Sequence, residues 1–442
     1  MARGEVVEVR PLGRPIDAEV PVPGSKSMTN RALVMAVLAD CESSIENALT
    51  SDDTDRMTAA LTGLGFELSS DQDSATMRVV GRGGLVPADR AELNVGASGT
   101  CARFLTALAA LGRGEYTLDG VPRMRERPIE PLLAALRQLG VDAVATLGTG
   151  CLPVRLRGSG APAGGAAAID ASVSSQFVSA LLMVGSYLEQ GLTLRLDGSI
   201  VSRPYIDMTL QQMGRTGVVG DWLDDRTLRV APGQRYRGGA QVMESDASNA
   251  SYFFAAAAVT GGRVRVARLP ADSIQGDLAL LDVLERMGCQ VERGADAVEV
   301  RGPAGGRLRG LSVDANAIPD MAQTIAALAP FVEGPIEVRD VASMRVKETD
   351  RIAAVVAELR RLGQDVEEGP DWFRVSPRPI RPATVRTYDD HRMAMAFSIV
   401  GLRAPGLRIA DPGCTGKTFP TYWDVLGGAG VEVVRLSPAL AG

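Results

Sequence analysis

The sequence predicts an α/β protein of two domains, and three observations carry that prediction. The chain has 442 residues, more than one ordinary core encloses, so at least two domains of roughly 200 residues each are expected. Its composition, 45% hydrophobic and 23% charged with only 4% aromatic residues, is that of a compact chain with an aliphatic core. Six times along the chain a helical apolar pattern closes on a leucine or a relative, a spacer and a glycine, and a short strand-like run follows.

The closing glycines are Gly65, Gly140, Gly217, Gly288, Gly363 and Gly430, and each reads as a left-handed helix stop. Ahead of each lies a second helix candidate that is apolar nearly all round, at 30–39, 102–111, 176–188, 251–259, 321–331 and 392–401. A helix apolar on every face is buried, whereas the glycine-terminated ones, such as 132–139 and 355–362, are amphipathic and half exposed. Strand-like runs such as 191–196 and 262–266 fill the gaps. Each unit therefore reads as two helices and several strands in about 70 residues, three units to a domain and two domains to the chain.

No apolar run approaches the ~18 residues a bilayer needs, and Met1-Ala2-Arg3-Gly4-Glu5 is unlike a signal peptide, so a cytoplasmic protein is expected. Five dispersed cysteines without a CxxC pair argue for a reducing compartment and against a zinc or disulfide framework. A net charge of −6 gives no long-range attraction for nucleic acid or an anionic membrane. An anionic ligand must then be caught by a local cluster of cations.

Polar residues gather where the buried helices begin: Ser25-Lys26-Ser27, Ser98-Gly99-Thr100 with Arg103, Ser174-Ser175-Gln176, Ser245-Asp246-Ala247-Ser248-Asn249, Asp320, and Asp389-Asp390-His391-Arg392. Ser, Thr and Asp there are ordinary N-caps, worth about 1 kcal/mol each. Cations beside a helix N-terminus are unfavourable unless an anion joins them. If the helix starts face one cleft between the domains, they make a pocket for several anions. Of the 47 basic residues only Lys26, Lys347 and Lys417 are lysine, and His391 is the one histidine; all four fall at such places. Lys347 and Arg351, four residues apart, are expected on one helical face. The run Asp411-Pro412-Gly413-Cys414-Thr415-Gly416-Lys417-Thr418 is close to a nucleotide-binding P-loop but has Asp411 where its first glycine belongs, and Pro420 interrupts what should be a helix.

In order and spacing, Pro23-Gly24-Ser25-Lys26-Ser27, Gly99-Thr100 with Arg103, Pro122-Arg123-Met124-Arg125-Glu126-Arg127-Pro128, Ser174-Ser175-Gln176-Phe177, Ser202-Arg203-Pro204-Tyr205-Ile206-Asp207, Arg345-Val346-Lys347-Glu348-Thr349-Asp350-Arg351, Asp390-His391-Arg392-Met393-Ala394 and Thr415-Gly416-Lys417-Thr418-Phe419-Pro420 resemble the 5-enolpyruvylshikimate-3-phosphate synthase family. The resemblance spans nearly the whole chain. It implies a two-domain inside-out α/β barrel, each domain made of three βαβαββ repeats with buried helices and surrounding sheets, residues 23–244 forming one and 1–22 with 245–442 the other. It also implies transfer of the enolpyruvyl group of phosphoenolpyruvate to the 5-hydroxyl of shikimate 3-phosphate in the cleft between the domains, with release of phosphate, on the route to aromatic amino acids. No cofactor or metal is implied, and a monomer with only small-molecule partners is expected.

Carried over residue by residue, the resemblance places Ser174, Ser175, Ser202 and Lys26 on the shikimate phosphate group. Ser27, Arg31, Gln176, Tyr205, Asp320 and Lys347 would contact the rest of that substrate, with Ser343 where the family usually has asparagine. Phosphoenolpyruvate falls to Lys26, Gly99, Arg127, Gln176, Arg351, Arg392 and Lys417; Gly99 is the residue type that leaves room for the inhibitor glyphosate. Asp320 is the expected base toward the 5-hydroxyl, and Glu348 and Lys26 are the candidates for proton traffic at the methylene carbon. Thr100, Arg103 and His391 stand behind these groups. Phe104 follows Arg103 where many members have proline.

Two other functions fit parts of the pattern. A UDP-N-acetylglucosamine enolpyruvyl transferase shares fold and donor but needs a reactive cysteine, for which Cys101 is the nearest candidate. A non-catalytic binder of phosphorylated metabolites could use the same cations, but gains nothing from Asp320 and Glu348 among them.

Overall fold

The computed structural model describes residues 4–436, which divide into one unit of 24–243 and another made of the chain up to Pro23 together with everything from Glu244 onward. Twelve α-helices occur among the described residues, in pairs. They are α1 (Lys26–Leu38) and α2 (Asp52–Gly63), α3 (Gly99–Ala109) and α4 (Glu130–Gln138), α5 (Ser175–Val184) and α6 (Arg203–Arg215), α7 (Ala247–Thr260) and α8 (Leu280–Arg286), α9 (Ala322–Leu328) and α10 (Arg351–Arg361), and α11 (His391–Gly401) and α12 (Tyr422–Gly428). The first of each pair is buried along nearly its whole length, and the second is amphipathic. All six expected glycine stops hold, with φ between +84° and +108° at Gly65, Gly140, Gly217, Gly288, Gly363 and Gly430, a region that costs a residue with a Cβ about 1 kcal/mol or more.

Each pair of helices belongs to one four-stranded sheet. The second repeat shows the plan. Strand 90–94 runs through α3 into the parallel strand 113–119, and α4 leads to the antiparallel pair 142–145 and 154–159, which spells βαβαββ. The third and fifth repeats are built the same way. In the other three the missing strand comes from far along the chain. Gly239–Val242 pairs in parallel with Glu42–Glu46, Asp17–Glu19 with Arg263–Ala267, and Val6–Val9 inserts between Leu407–Ala410 and Val433–Leu436.

Within the 24–243 unit, α1, α3 and α5 pack on one another; within the other, α7, α9 and α11 do. Within each unit the central helices lie inside and the sheets outside. Side chains such as Phe397, Phe253 and Phe104 are at most 1% exposed, each contributing about 1.5–3 kcal/mol by burial. No helix among the described residues is long and apolar enough to cross a membrane.

Candidate active site

In the 24–243 unit the polar helix starts lie together. Gly24 precedes α1 because a Cβ there would sit 1.7 Å from the carbonyl oxygen of Asn47, and this close approach fixes where Lys26 leaves the backbone. Lys26 Nζ then meets Asp53 Oδ2 at 3.2 Å. Asp53 is in the first turn of α2, where a carboxylate also favours the helix dipole, and it is 4% exposed. Cys101, in the first turn of α3, is fully buried and donates from Sγ to the carbonyl of Asp53 at 3.3 Å, so the starts of α2 and α3 are tied together.

At the start of α3, Ser98 caps the helix by accepting from Cys101 N. Gly99 has no room for a side chain: a Cβ would lie 2.6 Å from Arg127 Nη2 and 2.9 Å from Arg103 Nη1. Arg103 donates to the carbonyls of Gly99 at 3.1 Å and Pro128 at 2.8 Å, joining this turn to the loop that carries Arg127. Gln176 donates to Thr100 Oγ1 at 3.2 Å, and Ser174 caps α5 by accepting from Gln176 N. Ser175 is buried beside it. Ser202 stands before α6 with φ +53° and ψ +42°, a left-handed conformation of the kind proteins keep where geometry serves a site.

Arg31 is 2% exposed and is turned inward. It donates to Thr209 Oγ1, Ser179 Oγ and the carbonyls of Ser27 and Tyr205, and its guanidinium lies 5.2 Å from the Phe104 ring centroid. Burial lowers it to about 10, so it stays charged at neutral pH. Phe104 therefore has a specific task in this chain, covering a buried guanidinium.

In the other unit four cations surround three carboxylates. Asp320 accepts from Arg351 Nη1 at 3.0 Å and Arg392 Nη2 at 2.8 Å, with Lys347 Nζ 3.7 Å from Oδ1. It is no helix cap. Glu348 lies 2.8 Å from Arg351 Nη2 and 2.9 Å from Lys417 Nζ, its side chain only 12% exposed, which is unlike a solvated surface pair. Asp390 caps α11 by accepting from Arg392 N at 2.9 Å and also takes Arg351 Nε at 2.7 Å. Burial alone would push the Asp320 carboxyl up, but Arg392, Lys347 and Arg351 together outweigh it, and the carboxyl is held far below the usual carboxylate range. His391 is buried, with Nδ1 3.7 Å from Asp390 Oδ1. Ser343 is 7% exposed in the 3-10 turn Ala342–Val346.

One expectation needs correction. Lys347 and Arg351 do not share a helical face. Asp350 caps α10 by accepting from Ala353 N at 3.0 Å, so the helix begins at Arg351 and Lys347 is extended, with ψ −151°. The two cations meet at Asp320 from different backbone geometries. Residues that the sequence reading did not single out as site residues are Asp53, whose signal is the acidic helix start Ser51-Asp52-Asp53-Thr54-Asp55, and Tyr252, Ser248 and Asp277 behind Arg392.

Residues 12–426 match the family model described as EPSP synthase (3-phosphoshikimate 1-carboxyvinyltransferase). The chain is 50% identical over 419 residues to the 3-phosphoshikimate 1-carboxyvinyltransferase of Nostoc punctiforme, covering 95% of this chain and 98% of that one. It is 44% identical to the chloroplastic 3-phosphoshikimate 1-carboxyvinyltransferase of Arabidopsis thaliana, over 93% and 82% of the two chains. An EPSP synthase structure from Acinetobacter baumannii superposes with a TM-score of 0.80 at 22% identity, covering 98% of this chain and all of that one. The enolpyruvyl transferase NikO of Streptomyces tendae does so at 0.79 and 19%, over 98% and 99%.

Proposed function

The chain belongs to the EPSP synthase (3-phosphoshikimate 1-carboxyvinyltransferase) family, and from that premise we propose that it transfers the enolpyruvyl group of phosphoenolpyruvate to the 5-hydroxyl of shikimate 3-phosphate. The observation that carries the reading is a pair of half-buried carboxylates, Asp320 and Glu348, within 2.8–3.0 Å of the cations Arg351, Arg392 and Lys417. A site made only to hold anions has no use for carboxylates competing with them. An acid/base site does.

Two phosphates and two carboxylates bring about five to six negative charges. The reading assigns the shikimate phosphate group to Lys26, Ser174, Ser175 and Ser202, and the rest of that substrate to Ser27, Gln176, Tyr205, Lys347, Asp320 and the region of Ser343. Phosphoenolpyruvate goes to Lys26, Arg127, Gln176, Arg351, Arg392 and Lys417, with Gly99 against it. Arg31, engaged on four sides, acts by fixing Ser27 and Tyr205.

In the addition step the 5-oxygen forms a bond to C2 of the enol, its proton passes to Asp320, and the C2=C3 π pair takes a proton at C3 from Lys26 or Glu348. The tetrahedral adduct then loses phosphate as the bond from C2 to the phosphate oxygen breaks, and the C3 proton returns to the Lys26 or Glu348 group that gave one, its C–H pair re-forming the double bond. The cations lower the energy of the departing phosphate. The enzyme forms no covalent bond of its own, and Cys101 is placed accordingly: fully buried, with its thiol on the Asp53 carbonyl, it is out of position to serve the UDP-N-acetylglucosamine reaction as a nucleophile.

The direct test is phosphate release. It should appear with shikimate 3-phosphate and phosphoenolpyruvate together and with neither alone; release that requires UDP-N-acetylglucosamine instead would refute the assignment. A second expected outcome concerns Gly99. Its replacement by alanine puts a methyl group 2.6 Å from Arg127 Nη2, and the movable guanidinium gives way. Loss of one charge-assisted contact predicts a phosphoenolpyruvate KM about ten- to hundredfold higher, with glyphosate inhibition weakened in parallel and the melting temperature hardly changed. Steady-state kinetics and a thermal melt check both.

A further inference from the structure

Besides Asp320, Arg392 meets two hydroxyls of α7. Its Nη1 lies 3.4 Å from Tyr252 OH and its Nη2 3.4 Å from Ser248 Oγ. A guanidinium can only donate, and a serine hydroxyl has a single proton with lone pairs to either side. Which way that proton points decides whether Ser248 supports Arg392 or repels it. The direction is set by Asp277, 3% exposed in the short 3-10 turn Gly276–Ala279, whose Oδ2 accepts the hydroxyl of Ser248.

The turn that carries Asp277 is itself fixed to the start of α7. The side chain of Gln275 accepts from Ala247 N at 3.0 Å and donates to the Ser245 carbonyl at 2.8 Å. Asn249 adds a bond from its side chain to the Thr418 carbonyl at 3.2 Å, one residue beyond Lys417. The first turn of α7 is thus a bracket between the Asp277 turn on one side and Arg392 and the Lys417 segment on the other.

We propose that Ser248 and Asp277 are positioning residues for phosphoenolpyruvate capture: the Asp277 carboxylate polarises Ser248 so that its oxygen faces Arg392 and keeps the guanidinium plane in place when the ligand draws it off Asp320. The inference rests on the reading of Arg392 as a phosphoenolpyruvate ligand. Neither residue touches substrate. Their effect falls mainly on phosphoenolpyruvate, because Ser248 bears on Arg392 directly and on Asp320, the one group assigned to shikimate 3-phosphate that Arg392 holds, only through it.

The test compares Ser248→Ala, Ser248→Thr, Asp277→Asn and, as reference, Arg392→Lys in the full chain, reading kcat, both KM values and the melting temperature. Ser248→Ala should raise the phosphoenolpyruvate KM about two- to tenfold, more than it lowers kcat, and leave the shikimate 3-phosphate KM nearly unchanged. Ser248→Thr keeps the hydroxyl and should restore the phosphoenolpyruvate KM. Asp277→Asn should exceed Ser248→Ala, since a carboxamide can donate to Oγ and turn the hydroxyl proton toward Arg392. If Arg392→Lys raises the phosphoenolpyruvate KM while Ser248→Ala and Asp277→Asn do not, the positioning role is refuted and the reading of Arg392 stands. If Arg392→Lys also has no effect, both fall. Equal rises in the two KM values with a lowered melting temperature would mean a purely structural role and would overturn the proposal as well.

Discussion

Asparagine at position 320 should lower kcat by about 10²- to 10⁴-fold, the usual span for loss of a general base, while phosphoenolpyruvate binds as tightly as before or more tightly. The two effects have opposite signs because Asp320 has two relations to the same cations. Its oxygens engage Arg351 and Arg392, with Lys347 nearby, and these neighbours hold it ionised and a poor proton acceptor. Anionic substrates compete for the same three cations. As they draw them off, the carboxyl loses the partners that depress it and its basicity rises toward what proton abstraction needs. The asparagine variant cannot take the proton, but it also no longer competes with phosphoenolpyruvate for Arg351 and Arg392. Calorimetric titration of phosphoenolpyruvate and single-turnover kinetics separate the two effects. An unchanged kcat would remove Asp320 from the chemistry, and phosphoenolpyruvate bound more than tenfold more weakly would contradict the competition.

The sixfold plan of the fold was legible because each repeat ends on a glycine that must take positive φ, and because the central helices are apolar on all sides. Their first turns were not. The apolar pattern begins at residue 30, yet α1 begins at Lys26, and the apolar run 251–259 starts late for a helix, α7, that begins at Ala247. Polar residues occupy those turns because ligands, caps and ion pairs use them, so local apolarity understates the helix where function lies. The strand partners were hidden for a different reason. Val6–Val9 closes a sheet with residues near 410 and 435, and no local pattern encodes so distant a pairing.

The site divides in the same way. Lys26, Lys347, Lys417 and His391 stood out by rarity in an arginine-rich chain, and Asp320 and Glu348 by acidity among cations. Which carboxylate neutralises which cation was not readable. Asp53, Asp277 and Asp390 are each one acid in a polar stretch, and only the packing of separate helix starts shows that Asp53 meets Lys26 and Asp390 meets Arg351.

Methionine at position 351 should cost the protein about 3–5 kcal/mol, the penalty of leaving a buried carboxylate without its partner. At about 2–4 °C per kcal/mol for a unit of this size, the melting temperature falls by roughly 10 °C. Arg351 is 1% exposed and donates to Asp390 through Nε and Nη2, to Asp320 through Nη1, and pairs with Glu348 at 2.8 Å. Asp390 is fully buried and cannot turn to water, so most of the loss arises there. The double variant Arg351→Met with Asp390→Asn should regain a large part of it, since asparagine remains a good cap for α11 and carries no charge to strand. Activity should not return with it. Without Arg351, Asp320 loses one of the two guanidiniums that fix its oxygens, and phosphoenolpyruvate loses a ligand. Recovery of melting temperature without recovery of kcat/KM is therefore the expected pattern. A single variant that melts like the parent would show that the Arg351–Asp390 pair contributes nothing to folding. A double variant as unstable as the single one would move the cost from Asp390 to Glu348 and Asp320, the two carboxylates the reaction needs.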